Sequence, residues 1–341
     1  MVMNSKDKDR TVQILAGLVI IMLIFISIIN PQNHSILYNF FTWLTWPTIF
    51  FIAGYMINED NTIIEKALEA FKRYLVPYFV VGVLIIPLNK LIQLLHVQDW
   101  LNTPFAGMSK GLKALLYGNS SPTLTVFGYF DTGIGLLWIL ISLFVASLLM
   151  SIITKIRSLY ISVFCVVFLA GLGSYLSSTV QLPWSLNSAM FGLPFMFFGV
   201  KYRTMKDWSA GSATIVAALI LDGIFAMSSG LDMANANVPF WLLGNAVAFI
   251  SLSGLIVFAS YTALVLPKVS IIFSTIGSYP NINFAVFSFI NVMLPVGNYV
   301  SLLLSNGVVN LAIVLSITLV ITLIIKFSIV KIFHFQDGCE G

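Results

Sequence analysis

The most constraining feature of this chain is a succession of ten long apolar runs, at 11–30, 36–57, 74–95, 133–154, 158–178, 184–202, 209–228, 239–264, 270–292 and 305–330. Each is close to the ~20 residues that a helix needs to cross a bilayer. Most runs lack the period-two alternation of barrel strands, so the reading is helical. Composition agrees: 59% of residues are hydrophobic and 9% charged, against about 45–50% and about 25% in soluble domains. Lipid must cover what a soluble fold could not bury. The chain reads as an all-α, polytopic integral membrane protein of about ten transmembrane helices, a multi-pass protein of the plasma membrane. The first run is longer than the apolar core of a cleavable signal, so none is expected.

Basic residues set the expected orientation. With the amino terminus in the cytoplasm, all lysines and arginines except Lys90, Lys110 and Lys113 fall on cytoplasmic segments or adjoining span ends. That asymmetry places both termini inside and favours an even number of spans. Lys326, near the end of the last run, is counted among these cytoplasmic charges. The net charge of +4 is too small and too scattered to suggest nucleic-acid binding.

The chain reads as one transmembrane domain over 1–341 with two notable connections. Residues 58–73 form a cytoplasmic amphipathic helix, capped by Asp60 or Asn61, with Ile63, Ile64, Ala67, Leu68 and Phe71 on one face. Such a helix would lie on the inner membrane surface. Residues 96–132 make an extracytoplasmic loop long enough to be a binding wall. The ninth run holds Gly277-Ser278-Tyr279-Pro280-Asn281, which predicts a break or kink.

Several motifs occur in a definite order. Pro47-Thr48-Ile49-Phe50-Phe51-Ile52-Ala53-Gly54-Tyr55 precedes the amphipathic helix, and Phe71-Lys72-Arg73-Tyr74-Leu75-Val76-Pro77-Tyr78 follows it. Gly135-Leu136-Leu137-Trp138-Ile139-Leu140 comes next, then Leu182-Pro183-Trp184-Ser185-Leu186-Asn187 and Leu193-Pro194-Phe195-Met196-Phe197-Phe198-Gly199. This succession resembles the acyltransferase 3 family, in particular its fucose 4-O-acetylase-like branch. The resemblance implies a membrane O-acyltransferase that moves acetyl from acetyl-CoA to a hydroxyl of a cell-surface or exopolysaccharide sugar. It implies acetyl-CoA as donor, a glycan or lipid-linked saccharide as acceptor, and no metal.

The sequence departs from the family at its histidines. Those positions fall on Ser27, on Thr45 and in 287–291, where no histidine stands. A histidine is the natural base to deprotonate a sugar hydroxyl. The chain is therefore either an enzyme with a relocated base or a member that has lost catalysis. His34, near the outer end of the first run, is the candidate replacement; a solvated loop histidine is the alternative. His96 stands at another outer boundary. Asp222, the one acid well inside a run, is a second catalytic candidate, because an ionisable group is costly in lipid. Lys72 and Arg73 could hold a donor phosphate as well as set orientation. Tyr55, Tyr78 and Trp138 are candidate substrate contacts, and interfacial anchoring explains the two tyrosines equally well. Asp131 is a candidate sugar ligand or a cap for the fourth span.

Two other classes fit the same features. One is a carrier or flippase for a lipid-linked saccharide or small solute, suited by the broken ninth run and Asp222. The other is a non-catalytic partner in glycan assembly. The Walker, zincin and nucleophile-elbow motifs are absent. Cys165 and Cys339 lie too far apart in sequence to suggest a disulfide or metal site.

Overall fold

The described part of each apolar run is largely helical in the computed structural model, which describes residues 5–28, 35–98, 101–205, 210–293 and 307–333. In chain order the helices are α1 (Ser5–Ile28), α2 (Ser35–Tyr55), α3 (Ile63–Ala70), α4 (Val76–Leu95), α5 (Met108–Tyr117), α6 (Trp138–Ile153), α7 (Leu159–Ser177), α8 (Leu186–Thr204), α9 (Ala213–Ala226), α10 (Trp241–Val265), α11 (Pro267–Gly277), α12 (Pro280–Met293) and α13 (Gly307–Phe333). A short antiparallel hairpin, β1 (Thr123–Thr125) and β2 (Gly128–Phe130), pairs Leu124 with Tyr129. Among the described residues, six helical stretches are long and apolar enough to cross a membrane. They are 6–27, 35–55, 63–95, 135–153, 159–177 and 241–265. This is a helical protein built for a membrane. The run at 209–228 gives a shorter helix than its apolar length suggested. α9 has 14 residues and rises about 21 Å.

Glycines decide how closely the helices cross. A Cβ on Gly54 of α2 would lie 1.9 Å from the carbonyl oxygen of Met196 on α8. A Cβ on Gly199 of α8 would lie 2.1 Å from that of Phe51. The glycines near the ends of the two aromatic motifs thus let α2 and α8 touch backbone to backbone. Gly17 and Gly277 do the same for α1 and α11. Around these crossings Trp43, Phe50, Phe51, Phe191, Phe195 and Tyr202 fill the core. The outward face of α7 carries Tyr160, Phe164, Phe168 and Tyr175, all exposed, as a helix facing lipid requires.

Two irregularities interrupt the helices. α3 does not stop before α4: a π-helical turn, Phe71–Leu75, joins them into one continuous rod. Its cap is Thr62 rather than Asp60 or Asn61. The Thr62 hydroxyl accepts from the Glu65 amide while Glu65 reaches back to the Thr62 amide, a reciprocal capping box. Lys66 and Ala70 are the buried face of α3, while Ile63, Ile64, Leu68 and Phe71 point away from the protein. The expected break in the ninth run occurs between α11 and α12. Tyr279 there takes a positive φ of 55°, and Pro280 starts the new helix.

Lys326 of α13 is fully buried in that break. Its ammonium donates to the carbonyl oxygens of Thr275 (3.1 Å) and Ile276 (3.0 Å) and to the Ser278 hydroxyl (3.0 Å). Asn283 Nδ2 adds bonds to Ile276 O and Ser278 O. A cation at a helix C-terminus meets both the negative end of the dipole and the orphan carbonyls.

Candidate functional site

The bundle has two unlike ends. One gathers the ends of α1, α2, α6 and α8 with most of the described basic residues, and several of those residues are spent on backbone. Lys8 donates to Tyr202 O at 3.0 Å and to Met205 O. Arg203 donates to Tyr55 O at 3.3 Å with its guanidinium over the Tyr55 ring. Lys66 donates to Glu59 O and Thr154 Oγ1, and Lys155 to Asn61 O. Lys201 pairs with Glu59 at 2.9 Å, and Arg10 donates to the Ser270 hydroxyl. Chain ends and helix carbonyls are tied together here by long cationic side chains.

The candidate donor contacts lie at this end. Arg73, in the π turn, donates to Met56 O at 3.3 Å. It lines a crevice with Lys66, Glu69, Tyr74, Ser147 and Ser151 of about 10 Å³, space for one water at most. A nucleotide does not fit there. Lys72 is exposed beside it. Tyr55 is buried, with its hydroxyl donating to Asp9 at 2.6 Å. Tyr78 is buried, with its hydroxyl donating to Leu115 O. Trp138 is buried with its ring against Trp46. These three side chains join helices and face no cavity described here.

The opposite end is built around open space. A cavity of about 610 Å³ lies between α4, α12 and the segment 98–137. Ile85, Ile86, Leu115, Leu137 and Val292 give it apolar walls. Gln98, Asn102, Thr103, Ser120, Ser121, Asp131 and Thr132 supply amides, hydroxyls and a carboxylate. Such a mixture suits a small polar ligand with one apolar face.

Local chemistry holds the cavity open. Asn89 lies inside the apolar run of α4, and its side-chain amide exchanges two hydrogen bonds with the Phe105 backbone (2.8 and 3.2 Å). Gln93 adds a third, at 3.0 Å. Asn119 Nδ2 donates to Ser121 O and Thr132 O, and its backbone carbonyl receives the Ile134 amide. These amides fold the segment back onto the helices in place of a regular ladder.

Asp131 sits at the cavity rim and pairs with Lys110. The Lys110 hydrogen bond holds its carboxyl below the usual carboxylate range. It does not cap the fourth span, whose first turn begins at Gly135 with Ile134 before it. Asp222 stands elsewhere, fully buried between α9 and α10. Ser251 Oγ donates to its Oδ1, and its Oδ2 has no partner among the described residues. Neither α9 nor α10 lines the cavity. The structure therefore keeps Arg73, Asp131 and Asp222 at three separate places. His34 lies outside the described residues. His96 is exposed and closes α4 in the left-handed conformation.

The positions where the resemblance would put histidines carry other groups. Thr45 is buried with its hydroxyl unpartnered among the described residues, Ser27 Oγ donates to Ile24 O within its own helix, and Phe287 is buried in the core. The sequence reading missed Asn89 and Lys326. The signal for each was a lone polar residue within an apolar run, and for Lys326 also a broken helix elsewhere with carbonyls to satisfy. The chain matches no protein-family model, no curated protein and no solved structure.

Proposed function

We propose that this chain is an acyltransferase-3-like protein of the plasma membrane, with about ten spans and cytoplasmic termini, that acetylates a hydroxyl of a surface or secreted glycan. The observation that carries the reading is the 610 Å³ cavity at the end opposite the basic cluster. The positive-inside rule puts the basic end in the cytoplasm, which turns the cavity toward the outer face, where glycans are. Its hydroxyl, amide and carboxylate groups over apolar walls match a sugar ring, with polar edges and an apolar face. In the reaction the sugar oxygen forms an ester with the acetyl carbon as the thioester C–S bond breaks. The coenzyme A thiol leaves with the displaced proton.

Acetyl-CoA enters by the family resemblance. The crevice beside Arg73 does not accommodate it, so the exposed surface around Lys72 is the proposed docking region for its phosphates. Asp131, the one carboxylate among the described residues that line the cavity, and His34 are the proposed proton acceptors. Asp222 enters as a third, tested by Asp222→Asn. The test compares glycan O-acetyl content with the gene intact, deleted and carrying Asp131→Ala or His34→Ala. Deletion is expected to remove acetyl, and one of the two variants to reproduce the loss. Unchanged acetyl content on deletion, with the protein expressed in the intact strain, sinks the reading.

The break between α11 and α12 favours a second reading, a carrier for a lipid-linked saccharide, because interrupted spans recur where solutes cross. Accumulation of such a saccharide on the cytoplasmic side after deletion, with acetyl content intact, would select it.

A further inference from the structure

We infer that α5 is an interfacial helix seated in the lipid leaflet at the cavity end, so that one wall of the cavity is held at headgroup depth. Nine of its ten residues, Met108–Tyr117, divide into three sectors at helical spacing, while Tyr117 at its end is buried with its hydroxyl donating to Gln181 O. Gly111, Ala114 and Leu115 are buried. Met108, Leu112 and Leu116, at i, i+4 and i+8, are 53%, 50% and 57% exposed. Ser109, Lys110 and Lys113 form the third sector, also exposed. A helix lying in water would need two sectors. A third, apolar and uncovered, belongs to a helix that meets protein, lipid and water at once.

Depth supports the same assignment. Leu115 packs against Gly82 of α4, where a Cβ would lie 2.2 Å from its Cδ1. Gly118, just past α5, lies against Ile141 of α6. Ile141 is about 9 Å along the helix from Gly135, where that span begins. The end of α5 therefore lies alongside the spans, not above them. The exposed apolar side chains of α4 at Val83, Leu84, Leu91 and Leu94 carry the same lipid-facing character. Trp184, partly exposed, donates its indole N–H to Leu116 O at 3.0 Å at the end of the stripe, as aromatic residues do at the headgroup boundary. Lys113 lies beside the stripe and matches anionic lipid phosphate. The occupant of the apolar sector is lipid of this leaflet. Leu115 of the same helix lines the cavity, so lipid contact positions that wall.

Site-directed spin labelling tests this on the full chain carrying Cys165→Ala and Cys339→Ser, in liposomes of phosphatidylcholine with phosphatidylglycerol. Labels enter singly through Met108→Cys, Leu112→Cys, Leu116→Cys, Ser109→Cys and Lys113→Cys. At 108, 112 and 116, collisions with oxygen are expected to exceed those with a water-soluble nickel chelate, and the order to reverse at 109 and 113. Equal nickel access at all five positions places the stripe in water and overturns the inference. Exclusion of both reagents from 108, 112 and 116, with spin–spin broadening that grows with protein density, assigns the stripe to a second copy and overturns it too. As a separate check on folding, Leu112→Ser is expected to keep the melting temperature within a few degrees while lowering oxygen access at 116.

Discussion

At the basic end, polar side chains are consumed in binding the chain to itself; at the cavity end, a comparable set surrounds open space. Lys8, Lys66, Lys155 and Arg203 each reach a backbone carbonyl. Gln98, Thr103, Ser121 and Thr132 face the cavity. The contrast teaches that charge density does not by itself mark open, polar-lined space in this bundle. Helix ends need partners, and long cations are the cheapest to supply. Ligand contacts need unspent groups next to space.

The largest effect is expected from Lys326→Met. It leaves the Thr275 and Ile276 carbonyls without their cation in a buried place. The cost is about 2–3 kcal/mol, read as a lower melting temperature in detergent. Lys66→Met attacks the basic end directly and is expected to cost about 2 kcal/mol by the same loss. Acetyl transfer at a permissive temperature should survive it. Loss of transfer without loss of stability would break the comparison by giving Lys66 a ligand role.

Thr132→Trp does the reverse. A large ring at the cavity edge is expected to lower transfer about tenfold or more, equivalent to at least ~1.4 kcal/mol of barrier, with the melting temperature unchanged. Lys72→Ala sharpens the donor assignment: the donor KM should rise several-fold while kcat stays near its original value. The smallest effect belongs to Asp131→Asn on stability, because the pair with Lys110 is solvent-exposed. Its carboxyl is held below the ordinary range, so the pair exists at neutral pH and is lost as pH falls through that lowered value. Any difference in acceptor affinity between Asp131→Asn and the original chain should therefore shrink in acid, which a binding titration at two pH values measures.

Much of the scaffold was legible because its causes are local. Apolar length marks the helices, and the Tyr279-Pro280 pair marks the broken run. The aromatic motifs that hold Gly54 and Gly199 became intelligible only as a pair, since the reason for each glycine is the other helix. The site was less legible. Tyr55 and Tyr78 carry hydroxyls suited to a ligand, yet Asp9 and the Leu115 carbonyl take them. Nothing along the chain announces which partner a hydroxyl finds across the bundle. The partners of Lys326 were not legible, because position in sequence does not reveal that a helix end elsewhere needs a cap. The segment 96–132 reads as a loop by polarity, whereas Asn89 and Asn119 fold it against the spans.

The most direct test of the cavity as the acceptor site is transfer of labelled acetyl from acetyl-CoA to glycan in membranes, measured with Thr132→Trp against Lys66→Met at equal protein level. The account predicts transfer lost in the first and retained in the second. Full transfer in Thr132→Trp, or loss confined to Lys66→Met, would place the chemistry at the basic end and contradict it.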